Sequence, residues 1–119
     1  MIKCKICGGD LSIRQFTCKQ CKTSFSGDFS LPILAKLPLN SQKLAVELIL
    51  AGGNLKDLAE KLGITYPTLK KRIQDLQSEI IMLINERDSE INYIKKKMEK
   101  NEITKEEGER IINELLGVI

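Results

Sequence analysis

The chain has 119 residues, of which 42% are hydrophobic, 29% charged and 4% aromatic, with a net charge of +3 and no histidine. That length holds one ordinary domain or a few very small ones, and any core it builds is aliphatic. The missing histidines exclude imidazole acid–base catalysis and any zinc site with a histidine ligand; no apolar run is long enough for a membrane helix, and no nucleophile motif, glycine-rich phosphate loop or carboxylate pair points to an enzyme.

The charge is unevenly spread. Residues 1–30 carry five Lys/Arg against two Asp, residues 31–80 seven against five, and residues 81–119 seven against nine. The basic part is therefore the first two thirds. The N-terminus has no hydrophobic signal core, so a cytoplasmic location with reduced thiols is expected.

Residues 1–30 hold the four cysteines as Cys4-x-x-Cys7 and Cys18-x-x-Cys21, ten residues apart. Each pair can present two thiolates to one side of an ion, and two pairs complete the four soft ligands that tetrahedral zinc prefers. Gly8-Gly9 permits a tight turn after the first pair, while the alternating stretch Leu11–Phe16 and the segment Thr23–Ser26 predict two short strands. Two motifs outside a βαβ setting argue against a thioredoxin-like redox site. With only Asp10 and Asp28 as acids, the segment also argues against catalytic zinc. A zinc ribbon with one structural Zn2+ is expected, its Phe16, Phe25 and Phe29 packing the module.

The prolines of Leu31-Pro32 and Leu37-Pro38 interrupt the chain, and a helix is expected from near Asn40 with Ser41 as N-cap. Gly52-Gly53-Asn54 ends it, and a second helix runs from Leu55 to Leu62 and stops at Gly63. Thr65 caps a third helix, with Pro67 tolerated in its first turn. The pattern predicts a helix-turn-helix. Ala59 allows a close crossing, Gly63 makes the turn, Ile64 plugs the core, and Leu55, Leu58, Leu62, Leu69, Ile73 and Leu76 face inward. By elimination Thr65, Tyr66, Thr68, Lys70, Lys71, Arg72 and Gln74 face outward, where such folds meet the major groove of double-stranded DNA. The bland alternative is a trihelical unit that binds protein and carries a solvated basic run.

No proline or glycine occurs from Thr68 to Glu107, though Asn85 or Asp88-Ser89 is a possible break. Ile73, Leu76, Ile80 and Leu83, followed by Ile84, Arg87, Ile91, Ile94 and Met98, could form a coiled-coil dimer seam. The other solution is a hairpin in which Ile91, Ile94 and Met98 pack on Ile111, Leu115 and Leu116, with Asn101 as turn and Thr104-x-x-Glu107 as capping box. The predicted architecture is mainly α with a small N-terminal β zinc ribbon. Its parts are a ribbon at 1–30, a helix-turn-helix domain at 31–84, and a hairpin or coiled coil at 85–119 for interaction or oligomerisation.

Together Cys4-x-x-Cys7-Gly8-Gly9, Cys18-x-x-Cys21, Gly27-x-Phe29-x-Leu31-Pro32, Gly53-Asn54-Leu55-Lys56 and Leu62-Gly63-Ile64-x-Tyr66-Pro67-Thr68 resemble the bacterial domain-of-unknown-function family 2089. Lys22 departs from the glycine expected after the last cysteine. The tail, through Ile91-x-x-Ile94, Glu102-Ile103-Thr104 and Ile111-x-x-x-Leu115-Leu116, is similar to a SHOCT-like short helical hairpin. The resemblance implies a transcriptional regulator with a zinc ribbon, a sigma-region-4-like helix-turn-helix and a homodimeric or higher assembly. The rival expectation is an adaptor that docks on RNA polymerase or a sigma factor without binding DNA.

Overall fold

Two small β-strands lead into five helices in the computed structural model, which describes residues 3–117. Strands β1 (Ile13–Thr17) and β2 (Ser24–Phe29) are followed by α1 (Ile33–Lys36), α2 (Leu39–Leu50), α3 (Leu55–Leu62), α4 (Tyr66–Glu99) and α5 (Lys105–Leu115).

The strands pair antiparallel, with Phe16 opposite Phe25 and Thr17 opposite Ser24. The register slips between Ile13 and Gln15, because three residues of β2 span two of β1 there. Phe16 and Phe29 meet edge to face with ring centroids 4.8 Å apart. Phe25, expected to pack the module, is instead 56% exposed. Lys3–Asp10 and Arg14–Asp28 form ion pairs on the surface.

The two prolines bound a single helical turn, α1, that the apolar pattern did not reveal. Leu37 ends it in an extended conformation (φ −64°, ψ 151°), as a residue before proline prefers. Helix α2 then starts at Leu39 behind Pro38, earlier than the expected cap at Ser41. Pro38 supplies a preset φ, and the Ser41 hydroxyl is used elsewhere, donating to Glu79 Oε2 at 2.8 Å.

The trihelical unit forms as its caps predict. Asn54 Oδ1 accepts from the Asp57 N–H at 3.2 Å and starts α3. Gly63 ends α3 in the left-handed region (φ 68°), and the Ile64 N–H closes back on the Ala59 carbonyl at 3.1 Å. Thr65 Oγ1 accepts from the Thr68 N–H at 3.3 Å and starts α4. Leu58, Ala59 and Leu69 form the buried centre, with Leu44, Leu48, Ala51, Leu55, Ile64 and Ile73 packed around it. Leu62 is the exception: expected inside, it is exposed at the end of α3.

Helix α4 runs unbroken for 34 residues, so the break considered at Asn85 or Asp88-Ser89 does not occur and the expected 84/85 boundary falls inside a helix. The polar residues Asn85, Asp88 and Ser89 lie on its exposed side, while Leu83, Ile84, Arg87, Ile91, Ile94 and Met98 continue the inner, half-buried stripe. A stripe at three–four spacing keeps a helix going whatever its wet side carries. Asn101 (φ 56°) makes the turn, Thr104 Oγ1 caps α5 by accepting from the Glu107 N–H at 3.1 Å, and α5 folds back on α4 as a hairpin. Gly108 is buried at the crossing under Met98, and Gly117 closes against Pro32. Among the described residues no helix is long and apolar enough to cross a membrane.

Candidate metal centre and nucleic-acid interface

The two cysteine motifs fold into the same small loop twice. In the first, the Gly8 N–H donates to the Cys4 carbonyl at 2.9 Å and the Cys4 N–H to the Gly9 carbonyl at 2.7 Å. In the second, Lys22 N–H to Cys18 carbonyl (3.0 Å) and Cys18 N–H to Thr23 carbonyl (2.8 Å) repeat the pattern. The residue after the second cysteine takes a left-handed φ in both, 74° at Gly8 and 64° at Lys22. The lysine that departs from the expected glycine therefore makes the same turn as the glycine.

Inside the first loop the Ile6 N–H points at Cys4 Sγ and the Gly9 N–H at Cys7 Sγ, both at 3.4 Å. The Cys7 N–H, the Ile6 N–H and the Cys7 thiol, in that order, hold the Cys4 thiol below its ordinary range, because they stabilise the thiolate. In the second loop the Thr23 hydroxyl lies 3.1 Å from Cys21 Sγ. Together with the Thr23 N–H and the Cys18 thiol it draws the Cys21 thiol down to about 7. All four cysteines are free of disulfides. The structure joins them in pairs: among the described residues, no three Cys, Asp or Glu side chains gather closely enough to hold a metal ion. The donor set nonetheless fits zinc, since two turns each present soft sulfurs polarised toward the thiolate.

The second candidate surface begins at the N-terminus of α4. Thr65, Tyr66, Thr68, Lys70, Lys71, Arg72 and Gln74 are all exposed, as expected. Their roles differ. The Thr65 hydroxyl donates to Thr68 Oγ1 at 2.8 Å while accepting the Thr68 N–H, so it is committed to the cap. The Thr68 hydroxyl keeps its own proton for an outside acceptor. At ~100° per residue, Lys70, Lys71 and Arg72 fan over ~200° of the helix rather than sharing one face. Lys71 and Gln74 stand opposite buried Leu69 and Leu76, Lys70 lies on one flank, and Arg72 lies on the other.

Arg72 borders a groove of about 500 Å³ between α2 and α4 whose lining includes Glu47, Asp75 and Glu79. Sequence reasoning missed this acidic edge, although Asp75 and Glu79 follow Arg72 at three- and four-residue steps along one side of the helix. It confines the basic surface to the first two turns of α4. Among the described residues no carboxylate pairs with Lys70, Lys71 or Arg72.

Residues 4–35 match the family model described as the DUF2089 zinc ribbon, and residues 37–81 match that described as domain of unknown function (DUF2089)-HTH. Residues 82–119 lie outside both matches. No curated protein and no solved structure matches the chain. With a ribbon of paired cysteine loops followed by a capped trihelical unit, and with both family models meeting end to end over them, the chain belongs to the DUF2089 family.

Proposed function

We propose that this protein is a non-catalytic, cytoplasmic regulator of transcription that binds double-stranded DNA through the first two turns of α4. The observation that carries the reading is the cationic collar of Lys70, Lys71 and Arg72, exposed beside a capped helix start and without carboxylate partners among the described residues. Lys71 and Gln74, outermost on the helix, suit the groove floor, where lysine reads guanine and glutamine reads adenine. Lys70, Arg72 and the Thr68 hydroxyl suit flanking phosphates. Thr65 serves the site indirectly by fixing the helix start, and Tyr66 adds an exposed ring beside it.

Cys4, Cys7, Cys18 and Cys21 are the residues that hold one zinc ion in this reading. The ion supplies a structural cross-link between the two loops, and four thiolates leave it no open position for catalysis. The absence of histidine and of any nucleophile set supports the same non-enzymatic reading.

The test is a fluorescence-anisotropy titration with genomic DNA fragments over a salt series. Affinity should fall steeply with salt; changing Lys70 and Arg72 to Gln should flatten the log–log slope by ~2, and Lys71→Gln should weaken binding chiefly at guanine-containing sites. Binding untouched by those changes overturns the reading. Retention on RNA polymerase or a sigma factor with none on DNA at low salt replaces it with an adaptor.

A further inference from the structure

We infer that the outward face of α2 is a homodimer interface, at which a second copy of this chain covers the same helix.

Helix α2 is apolar on two opposite sides. Leu44, Leu48 and the following Ala51 pack inward against the buried centre. Directly opposite, Leu39, Gln42, Val46 and Ile49 recur at steps of three and four, the spacing of a helix–helix seam. A helix with two apolar faces has two surfaces to cover, yet the protomer covers only one of them, Lys43 and Glu47 lie between the two, and α2 has no buried residue. Leu39 is 65% exposed, Val46 55%, and Ile49 and Leu50 71% each.

Gln42 does not interrupt this stripe. Its amide Nε2 turns back to donate to the Leu37 carbonyl at 2.9 Å and the Ala35 carbonyl at 3.2 Å. The polar end is thereby used at the end of α1, and Leu34 of that helix, 54% exposed, joins the same apolar surface. The patch is continuous from α1 to the end of α2.

Its size and symmetry select the occupant. The five side chains expose on the order of 500 Å² together, so two copies face to face remove about 1,000 Å², the threshold of a specific interface before any polar rim is counted. A two-fold contact places the same patch on both sides, and an aliphatic stripe at seam spacing is the natural complement of another such stripe. Among the described residues the inner stripe of α4 is covered within the chain by α1, α3 and α5, and the exposed Met82 and Tyr93, though on one side of α4, stand three turns apart with Glu86 and Ser89 between them.

The experiment is sedimentation velocity and light scattering on the full, reduced, metal-loaded chain over a concentration series. The parent chain should give the dimer mass. Val46→Glu combined with Ile49→Glu should give the monomer, with helical circular dichroism preserved because both positions face solvent in the protomer. The milder Ile49→Gln, which leaves the fold intact, should weaken the dimer ~10-fold or more. A parent chain that is monomeric at every concentration overturns the inference. So does a dimer that survives both α2 variants, or one that dissolves only when Ile81 and Met82 are changed to Glu.

Discussion

The ribbon and the trihelical unit stand side by side in one chain and are stabilised in opposite ways. Between residues 3 and 30 no described residue is buried; β1 and β2 share a short ladder, one edge-to-face phenylalanine pair, the exposed Arg14–Asp28 ion pair and a Thr17–Ser24 hydroxyl hydrogen bond, and a second exposed pair, Lys3–Asp10, lies outside them. Exposed ion pairs contribute little. The helices enclose Leu37, Leu58 and Leu69 almost completely, and every cap has its hydrogen bond where the sequence provides a capping side chain. Neither strand packs extensively on a helix among the described residues. The comparison teaches that a module too small for a core needs a cross-link, whereas eight aliphatic side chains around Leu58 suffice for its neighbour.

Metal removal separates the two regions most sharply. Structural zinc contributes about 10–16 kcal/mol to small cysteine-ligated modules, far more than any contact within β1 and β2. Chelation, or Cys18→Ser, should therefore unfold residues 3–30 while the helical unit keeps its melting transition. Amide hydrogen exchange resolved along the chain reads both halves at once. Loss of protection in α3 and α4 on chelation would break the comparison.

Leu58→Ala should do the converse. The side chain is fully buried at the centre of the unit, and such truncations cost about 2–5 kcal/mol. Urea unfolding followed at the helical dichroism signal measures the loss, and zinc affinity of the ribbon should not change.

The hairpin gives a smaller effect whose sign depends on a neighbour. Gly108 is buried mid-helix, where glycine costs about 1 kcal/mol relative to alanine. A Cβ there would overlap Met98 Sδ and Cγ. Gly108→Ala should thus destabilise the parent chain by about 1 kcal/mol as Met98 is displaced, and stabilise a Met98→Ala background by a similar amount. Equal effects in both backgrounds would show that the crossing is looser than this packing implies.

Local chemistry made much of this legible in advance. Asn54, Gly63, Thr65 and Thr104 mark helix ends because each has a side chain or backbone freedom that only an end uses. Ala59 and Ile64 are recognisable from the crossing they serve. The misreadings share one cause: tertiary placement outranked a local preference. Ser41 looks like a cap but donates to Glu79, thirty-eight residues on. Asn85, Asp88 and Ser89 look like a break but lie on a wet face whose opposite side is packed. Leu62 and Phe25 have core composition and surface positions. At the candidate DNA surface, three adjacent basic letters read as one cluster, while helical geometry spreads them and sets Asp75 and Glu79 along one flank.

The finest distinction lies within the ribbon, between its two nearly identical loops. Gly8 and Lys22 occupy equivalent left-handed positions, where a side chain costs about 1–2 kcal/mol and glycine nothing. Part of that relief is lost because glycine also loosens the unfolded chain, which leaves Lys22→Gly a net gain of about 0.5–1 kcal/mol. Metal binding is coupled to the folding of this module, so the gain should appear as a ~2–5-fold tighter zinc affinity in competition with a chromophoric chelator. Lys22→Ala removes the same charge but keeps the strained backbone, so it should show no gain. If alanine tightens zinc as much as glycine does, the lysine's charge rather than its backbone sets the difference between the loops.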